Sequence, residues 1–410
     1  MLILQILLSL IAPISVWLYF LLKLGGESNP NLWGYYLLLC PLLLYLLFFI
    51  SYFQKKQERP LTNPVKKIFR ITCLALLTIS LLDAVGAYVN RALYQHKIDQ
   101  DWRYNIFIND WIQKRRLQLP PTSGDTEPGP FLPHVKGKII DSSITADRWG
   151  FRREIEDMHP GLEPEDTFNA LCLGGSVMFG MTVHQDDLPA PDMLQKMFYD
   201  NPAQETVRVY NAAFPGAHAG SITQPEQTSY WRIKPDVILF YEAINWLVPG
   251  QKTFLLNRNS LLMTIWHNLK VRRESIRAVK RYIPDEFGAK IEYFILQCRE
   301  NNPDVIPVLI TFALPFTEHD APQSLSYWDV MQNGQGCARA AAIQVRKHNQ
   351  RLRDIARKYN IPLIDSLPML NGKPDFFIDS CHLTRQGNRI LAQLMEKVIR
   401  DIINQRSKKT

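Results

Sequence analysis

The residues best suited to covalent chemistry lie in the second half of the chain, at Ser176, Asp379 and His382. A serine hydroxyl becomes a nucleophile when an imidazole takes its proton, and a carboxylate on the other ring nitrogen orients that imidazole. Asp379 and His382 are three residues apart, so their side chains can meet on one turn. Each motif also has an ordinary interpretation. Gly174-Gly175-Ser176 can be a turn with a helix-capping serine, and a histidine ahead of a helix can be structural.

Two further positions can supply hydrogen-bond donors to a developing negative charge. Gly216 lies in the segment Asn211–Gly216, where a glycine lets the backbone N–H approach a ligand closely. Asn245 lies in Tyr241–Trp246 and can point its side-chain amide at an oxyanion. The alternatives are an ordinary turn at Gly216 and a turn or helix-capping residue at Asn245.

The elements that would position these residues form an alternating pattern. Short apolar runs at 168–173, 207–213, 237–241, 305–312 and 361–364 predict strands, and the segments 188–199, 290–301, 338–359 and 384–405 predict helices between and after them. This alternation predicts a parallel sheet covered on both faces, in which ligands bind beyond the carboxyl ends of the strands. The candidate residues follow the predicted strands in that way, which favours a shared site.

The first ninety residues have a different character. Three runs of about twenty residues, at about 2–22, 33–53 and 69–89, are apolar and almost free of charge, which predicts three transmembrane helices. A signal peptide is the alternative for the first run, but it has no basic start and no small-residue cleavage site. The loop between the second and third runs carries five basic residues, Lys55, Lys56, Arg59, Lys66 and Lys67. That loop is therefore predicted to be cytoplasmic, which puts everything after Val89 outside.

Composition limits the remaining classes. The chain has 410 residues, a formal charge of +8 and 46% apolar residues, so it is too apolar to be mostly disordered. Six cysteines in this length exclude a small disulfide-rich scaffold. No dense basic face with interleaved aromatic residues is evident, and we predict no nucleic-acid partner.

The four motifs, in their order along the chain, resemble those of the SGNH hydrolases, the GDSL esterase and lipase family, in its membrane-anchored bacterial form. The blocks that carry the resemblance are Gly174-Gly175-Ser176, Gly216, Ala243-Ile244-Asn245-Trp246 and Asp379–His382, and Asp147–Arg152 is similar to a stretch that precedes the serine block in bacterial members. The resemblance covers about residues 145–405. Gly175, Ala243 and Trp246 depart from the family pattern. The Gly-Gly-Ser form is known within the family, and the changes at Ala243 and Trp246 bear on substrate fit more than on chemistry.

The resemblance implies a fold, a set of roles and an activity. The fold is a three-layer α/β/α, flavodoxin-like parallel sheet, here preceded by the three transmembrane helices. Ser176 is the implied nucleophile, His382 the base and then acid, and Asp379 the residue that orients His382. The backbone N–H groups of Ser176 and Gly216 and the side chain of Asn245 are the implied oxyanion hole. No cofactor and no metal are required.

We therefore expect a membrane domain at 1–90, a connecting region at 91–144 and a catalytic domain at 145–410. The predicted protein is a multi-pass protein of the inner (cytoplasmic) membrane with its catalytic domain on the extracytoplasmic side. Its expected activity is hydrolysis of acyl esters, acetyl above all, on a glycan or lipid. One alternative is an O-acyltransferase for a cell-surface polysaccharide, with a membrane partner that supplies acyl groups. Another is a catalytically silent glycan-binding domain.

Three further features have less specific sequence signals. Asp83 lies within the third run, and we expect it to be hydrated near the outer surface, with a functional role as the alternative. Residues 251–282 mix apolar and basic side chains, which is typical of an amphipathic cover helix or of a segment on the membrane surface. His184, Asp186 and Asp187 form a loose cluster that we interpret as a solvated loop.

Overall fold

The computed structural model of the chain falls into two compact units, Met1–Tyr104 with Thr253–Arg273, and Asn105–Lys252 with Glu274–Thr410. The residues it describes are 14–15, 17–18, 63–100, 129–139, 142–156, 161–181, 188–217, 219–222, 229–243, 245, 260–280, 284–321, 325 and 338–408. The predicted spans at 2–22 and 33–53 lie outside these residues, apart from four positions between Ile14 and Leu18. The cluster of His184, Asp186 and Asp187 also lies outside them.

The second unit is built on a parallel sheet. Its strands are β3 (Phe168–Gly174), β4 (Val207–Asn211), β5 (Val237–Tyr241), β6 (Ile306–Ile310) and β7 (Leu363–Ile364), in the spatial order β4-β3-β5-β6-β7. All neighbouring pairs are parallel. If the five strands of this sheet are numbered along the chain from β3 as strand 1, the order is 2-1-3-4-5, which is that of flavodoxin-like sheets. The predicted α/β fold with a five-stranded parallel sheet is confirmed.

Helices cover the sheet. Every residue of β3, β4 and β5 is buried, and because successive side chains point to opposite faces, both faces must be covered. The helices of this unit are α2 (Ser176–Phe179), α3 (Ala190–Asp200), α4 (Ala219–Ile222), α6 (Pro284–Asn301), α7 (Ala338–Tyr359), α8 (Leu367–Leu370) and α9 (Arg385–Arg406). Helix α3 packs on α9 and β4, while α6 and α7 pack on each other and on β6.

A small hairpin precedes the sheet. Strands β1 (Lys136–Ile139) and β2 (Ser142–Thr145) pair antiparallel. The chain then reaches the main sheet, where the Arg152 N–H donates to the carbonyl of Asn211 at the end of β4, 3.2 Å away. The hairpin region is thereby tied to the edge of the sheet on which the candidate residues lie.

The first unit contains α1 (Asn63–Gln100) and the start of α5 (Leu261–Lys280). Among the described residues, one helix is long and apolar enough to cross a membrane, the segment Ile71–Asn90 of α1. It coincides with the third predicted span, so the structure supports one of the three. Residues 261–280, from the mixed apolar and basic segment, form a helix as the amphipathic pattern predicts.

Asp83 is not hydrated as expected. Asp83 is only 5% exposed to solvent, and its Oδ1 accepts a hydrogen bond of 2.7 Å from the Leu262 N–H at the start of α5. The prediction was wrong because the residue that covers Asp83 comes from a segment far along the chain.

Candidate active site

Ser176 lies where the carboxyl end of β3 turns into α2. Gly175 precedes it with an extended backbone, and Ser176 is the first residue of the helix. The Phe179 N–H donates to the Gly175 carbonyl, and the N–H groups of Gly180 and Met181 donate to the Ser176 carbonyl. The first N–H groups of a helix have no acceptor within it, so the backbone beside the Ser176 hydroxyl offers donors.

The structure brings Ser176, His382 and Asp379 together. His382 Nε2 lies 2.8 Å from Ser176 Oγ, and His382 Nδ1 lies 2.6 Å from Asp379 Oδ2. The other carboxylate oxygen, Oδ1, accepts from the N–H groups of His382 and Cys381 at 2.8 and 2.9 Å. Asp379 is therefore held by the backbone of its own turn while it holds the imidazole. With Nδ1–H donated to Asp379, Nε2 is the nitrogen that can accept the serine proton.

The electrostatics of the pair favour the charged forms. Burial disfavours the Asp379 carboxylate, but the charge of His382 and the hydrogen bonds to Oδ1 and Oδ2 outweigh it, so the pKa of Asp379 lies below its usual value. Burial also disfavours the imidazolium, yet the Asp379 carboxylate outweighs this and raises the pKa of His382 well above its usual value. Asp379 thus stabilises the proton that His382 would receive.

Gly216 occupies the third position of a tight turn. The Ala217 N–H donates to the Phe214 carbonyl at 3.0 Å, Pro215 is the second residue of the turn, and Gly216 has a φ of +83°. This is the pattern of a type II turn, in which the third residue needs a positive φ and is usually glycine. A Cβ on Gly216 would meet nothing within 4 Å, so backbone conformation, rather than crowding, requires the glycine.

Asn245 reaches the serine turn from the carboxyl end of β5. Its Nδ2 donates to the Ala217 carbonyl at 2.9 Å, and its backbone N–H donates to Glu242 Oε1 at 2.9 Å. A Cβ on Gly175 would lie 2.4 Å from Asn245 Nδ2, so the amide packs directly against the residue before Ser176. An amide nitrogen carries two hydrogens, and donation to Ala217 leaves the second for a ligand. This packing also explains why glycine occupies position 175.

Glu242 and Arg152 contribute to the site in ways the sequence did not reveal. Glu242 is buried after β5 and fixes the backbone of Asn245. Arg152 is buried, and its Nη1 donates to the carbonyls of Phe179 and Gly180 at 2.5 and 3.1 Å, at the end of α2. The only signal for Arg152 was its place in the Asp147–Arg152 stretch, which suggested no contact.

Arg152 clamps the short helix that carries Ser176. Its Nε also pairs with Glu154 Oε1 at 3.0 Å, and its guanidinium lies 4.3 Å from the centroid of the Phe179 ring. The Glu154 N–H donates to Asp192 on α3, where burial and the nearby Glu154 charge raise the pKa of Asp192 to about 7. The Arg152 guanidinium, together with that of the nearby Arg153, therefore compensates these two largely buried acidic groups.

Replacement of Arg152 by methionine is expected to lower the free energy of unfolding by about 3–5 kcal/mol, since removal of one partner leaves a buried charge uncompensated. Denaturant unfolding of the detergent-solubilised chain measures this. The control is Arg346→Met, because Arg346 is 64% exposed and pairs with Glu318 on the surface, where such pairs contribute about 1 kcal/mol or less. Equal losses in the two variants would contradict the clamp.

Cys381 lies beside the histidine but on the wrong side to replace Ser176. Its Sγ is 3.6 Å from Nδ1, the ring nitrogen that faces Asp379, and burial raises the pKa of the thiol. The donor atoms of Asp379, Cys381 and His382 all lie within 4.8 Å of one another, close enough for a metal ion. However, two ligands of one tetrahedral zinc ion stand about 3.3 Å apart, and the 2.6 Å contact between Oδ2 and Nδ1 is that of a hydrogen bond.

Comparisons with known proteins find similarity only among solved structures; no protein-family model and no curated protein matches the chain. A GDSL-like lipase from Bacteroides thetaiotaomicron is 13% identical, with a TM-score of 0.37 over 57% of this chain and 89% of that one. A lipase/acylhydrolase from Enterococcus faecalis is 16% identical, with a TM-score of 0.37 over 57% and 95%. An acetylxylan esterase from Geobacillus stearothermophilus is 14% identical, with a TM-score of 0.38 over 56% and 92%. At these identities and scores, the functional proposal depends on the geometry of the site.

Proposed function

We propose that the protein is a membrane-anchored serine esterase or deacylase that hydrolyses acyl esters of a glycan or lipid through an acyl-serine intermediate. The observation that carries the proposal is the chain of contacts from Ser176 Oγ to His382 Nε2 and from His382 Nδ1 to Asp379 Oδ2. These three groups come from two distant parts of the sequence and are all nearly buried, at 6%, 4% and 5% exposure. A hydroxyl, an imidazole and a carboxylate in this order are the arrangement that nucleophilic acyl transfer needs.

In the first half of the reaction, His382 Nε2 takes the proton of Ser176 as Oγ forms a bond to the ester carbonyl carbon. The carbonyl π electrons move to the oxygen, which becomes an oxyanion. As the oxyanion collapses, the bond to the alcohol oxygen breaks and His382 gives that oxygen the proton. In the second half, His382 takes a proton from water as the water oxygen bonds to the acyl carbon. The acyl–Oγ bond then breaks, His382 returns the proton to Ser176 Oγ, and the carboxylic acid leaves.

The oxyanion would be stabilised by three donors, the N–H groups of Ser176 and Gly216 and the side chain of Asn245. Preorganised donors of this kind stabilise charge that develops in the transition state. The contacts that support the proposal are the placement of Ser176 at a helix start, the turn at Gly216 and the amide of Asn245 against Gly175.

The proposed location is the membrane, with Ile71–Asn90 as a spanning helix and the sheet-bearing unit on the extracytoplasmic side. Support for the span comes from its length and hydropathy. Support for the side comes from the five basic residues that precede the span in the sequence: Lys55, Lys56, Arg59, Lys66 and Lys67. An ester substrate on a cell-surface glycan or on a lipid headgroup is accessible to such a protein.

Covalent labelling tests the proposal. The purified full chain is treated with a fluorophosphonate and digested, and the modified peptide is identified by mass spectrometry, with modification expected on Ser176. The same preparation is assayed against chromogenic esters of increasing acyl length, with and without an oligosaccharide acceptor. Release of free acid supports hydrolysis, whereas acyl transfer to the oligosaccharide would replace the esterase with an acyltransferase. Absence of label from folded protein would refute both.

Replacement of Asn245 by alanine is expected to lower kcat on the best ester by about 10²–10³-fold, because one oxyanion donor is lost. Asn245→Asp keeps the shape of the side chain, removes the N–H groups and places a negative charge beside the oxyanion, so its loss should be at least as large as that of Asn245→Ala. Steady-state kinetics of both variants give the effect, and thermal unfolding separates it from loss of the bond to Ala217. The control is Asn301→Ala on the exposed surface of α6. A loss below about threefold in Asn245→Asp would remove Asn245 from the oxyanion hole.

A further inference from the structure

We propose that residues 261–269 of α5 are embedded in the lipid bilayer beside α1, held there by Asp83, and that the adjoining basic residues Lys270 and Arg273 bind anionic lipid headgroups. The proposal concerns a surface distinct from the ester site. It rests on the membrane-spanning placement of α1 and not on the chemistry of Ser176.

Asp83 explains how a helix can start inside lipid. Hydrocarbon offers no hydrogen-bonding groups, so the free N–H groups at a helix start must find acceptors in the protein. At the start of α5, Asp83 Oδ1 accepts from the Leu262 N–H at 2.7 Å, and Ser260 Oγ accepts from the Met263 N–H at 3.0 Å. Both Asp83 and Ser260 are buried, and a carboxylate at this end also complements the helix dipole.

The two helices approach closely at this point. Gly86 is one turn along α1 from Asp83, and a Cβ on it would lie 2.6 Å from Leu261 Cδ2. On the same part of α1, Ala84 and Ala87 are buried. Small residues that let a helix approach are typical of contacts within membranes. The start of α5 is therefore a packed partner of the candidate span, consistent with its grouping in the same compact unit.

The solvent-exposed face of α5 is apolar in the two turns that follow its contact with Asp83 and Gly86. Four exposed residues at helical spacing form one stripe, with exposures from 43% to 61%: Leu262, Ile265, Trp266 and Leu269. The contact point on α1 is flanked by further exposed apolar residues, Leu81, Leu82, Val85, Tyr88 and Val89. An apolar surface that continues from a spanning helix onto its partner fits lipid chains better than water.

In this proposal, α5 runs from the contact at Asp83 toward the membrane surface at which the span of α1 ends. From Asp83 to the end of the span at Asn90 is about 10 Å at 1.5 Å per residue, and from Leu262 to Leu269 is the same distance. Directly after Leu269 the described exposed residues of this unit become basic, at Lys270 and Arg273. Lys270 Nζ lies 5.4 Å from the Trp266 ring centroid. Tryptophan at the interface followed by Lys and Arg is the order expected at an anionic membrane surface.

Quenching of tryptophan fluorescence tests the proposal with the full chain in vesicles. The probes are phosphatidylglycerol and phosphatidylcholine brominated at the same shallow acyl position. The contribution of Trp266 is the difference between the wild-type chain and Trp266→Phe, since the chain has nine tryptophans. We expect bromolipid to quench this contribution at least twofold, and phosphatidylglycerol to quench it more than phosphatidylcholine does. Absence of quenching in the wild-type chain would overturn the embedded placement.

Two sets of variants separate the parts of the proposal. Asp83→Ala is expected to lower the quenching of Trp266 at least twofold, while Asp83→Asn, which keeps an acceptor oxygen, retains it; equal behaviour of the two would overturn the role of Asp83. Neutralisation of Lys270 and Arg273 to glutamine should abolish the preference for phosphatidylglycerol. If the wild-type chain shows no such preference, the headgroup assignment is wrong.

Failure of this inference is distinguishable from failure of the proposed function. Fluorophosphonate labelling of Ser176 is measured in the same vesicles. Labelled protein without quenching would refute the embedding of α5 and leave the esterase standing. Protein whose Trp266 is quenched but whose Ser176 is not labelled would refute the esterase and leave the embedding of α5 standing. Extraction of the chain from vesicles by alkaline carbonate would refute the spanning placement of α1, and this inference with it.

Discussion

Ser176→Ala is expected to lower kcat on acyl esters by about 10⁶-fold, to near the rate left by substrate binding and the oxyanion donors alone. The physical reason is that Ser176 Oγ is the atom in contact with His382 Nε2, so its removal eliminates the covalent route. The loss is measured by steady-state kinetics and by absence of the acyl-enzyme in mass spectrometry after rapid quenching. Mild loss, below about tenfold, would show that another nucleophile carries the reaction.

Two controls make this result specific. Ser407→Ala removes a hydroxyl that bonds to Gln204 on the surface and should leave the rate unchanged. Cys381→Ala removes the neighbouring thiol, whose Sγ faces Nδ1 of His382 rather than Nε2, and should keep most of the activity and all of the serine labelling. If Cys381→Ala were as inactive as Ser176→Ala, the assignment of the nucleophile would be open again.

Asp379→Asn is expected to lower kcat by about 10⁴-fold and to move the acid limb of the pH profile of kcat/KM to lower pH. Asp379 raises the pKa of His382 well above its usual value, so the wild-type limb should lie above pH 6.5. The rate falls as pH decreases through this pKa, because imidazolium cannot accept the serine proton. Removal of the negative charge lowers the pKa of His382, and the neutral base then persists to lower pH.

The full pH profiles of wild type and variant measure this shift. The control is Asp375→Asn, an exposed carboxylate in the turn before the site, which should alter neither the rate nor the limb. A limb that stays in place in Asp379→Asn would mean that Asp379 does not set the protonation of His382, whatever the loss of kcat.

Much of the sheet and the site could be predicted from the sequence because the signals are local. Each of the five apolar runs contains a strand. Ser176, Gly216 and Asn245 follow the carboxyl ends of β3, β4 and β5 within a few residues. Strand ends were less predictable. The last run was predicted at 361–364, but β7 begins only at Leu363, since Pro362 has no N–H to donate to the ladder.

The features that the sequence could not reveal depend on pairs of residues far apart in the chain. Asp83 and Leu262 are separated by 179 positions, and no local pattern couples a carboxylate in an apolar run to a helix start so distant. The contact of Arg152 with the end of α2 is similar, because an arginine in a polar stretch usually lies on the surface. The hairpin of β1 and β2 was missed because its strands are short and polar.

The clamp by Arg152 limits how the sheet-bearing unit can be cut for expression. A four-residue helix such as α2 has no stability of its own, so the orientation of the Ser176 hydroxyl depends on contacts at its far end. Those contacts come from the segment just after the β1–β2 hairpin, well ahead of the first strand of the main sheet. A shortened protein that starts at Phe168 would retain Ser176, Asp379 and His382 but would lack Arg152, which orients the helix that carries Ser176. A protein that starts ahead of the hairpin retains Arg152.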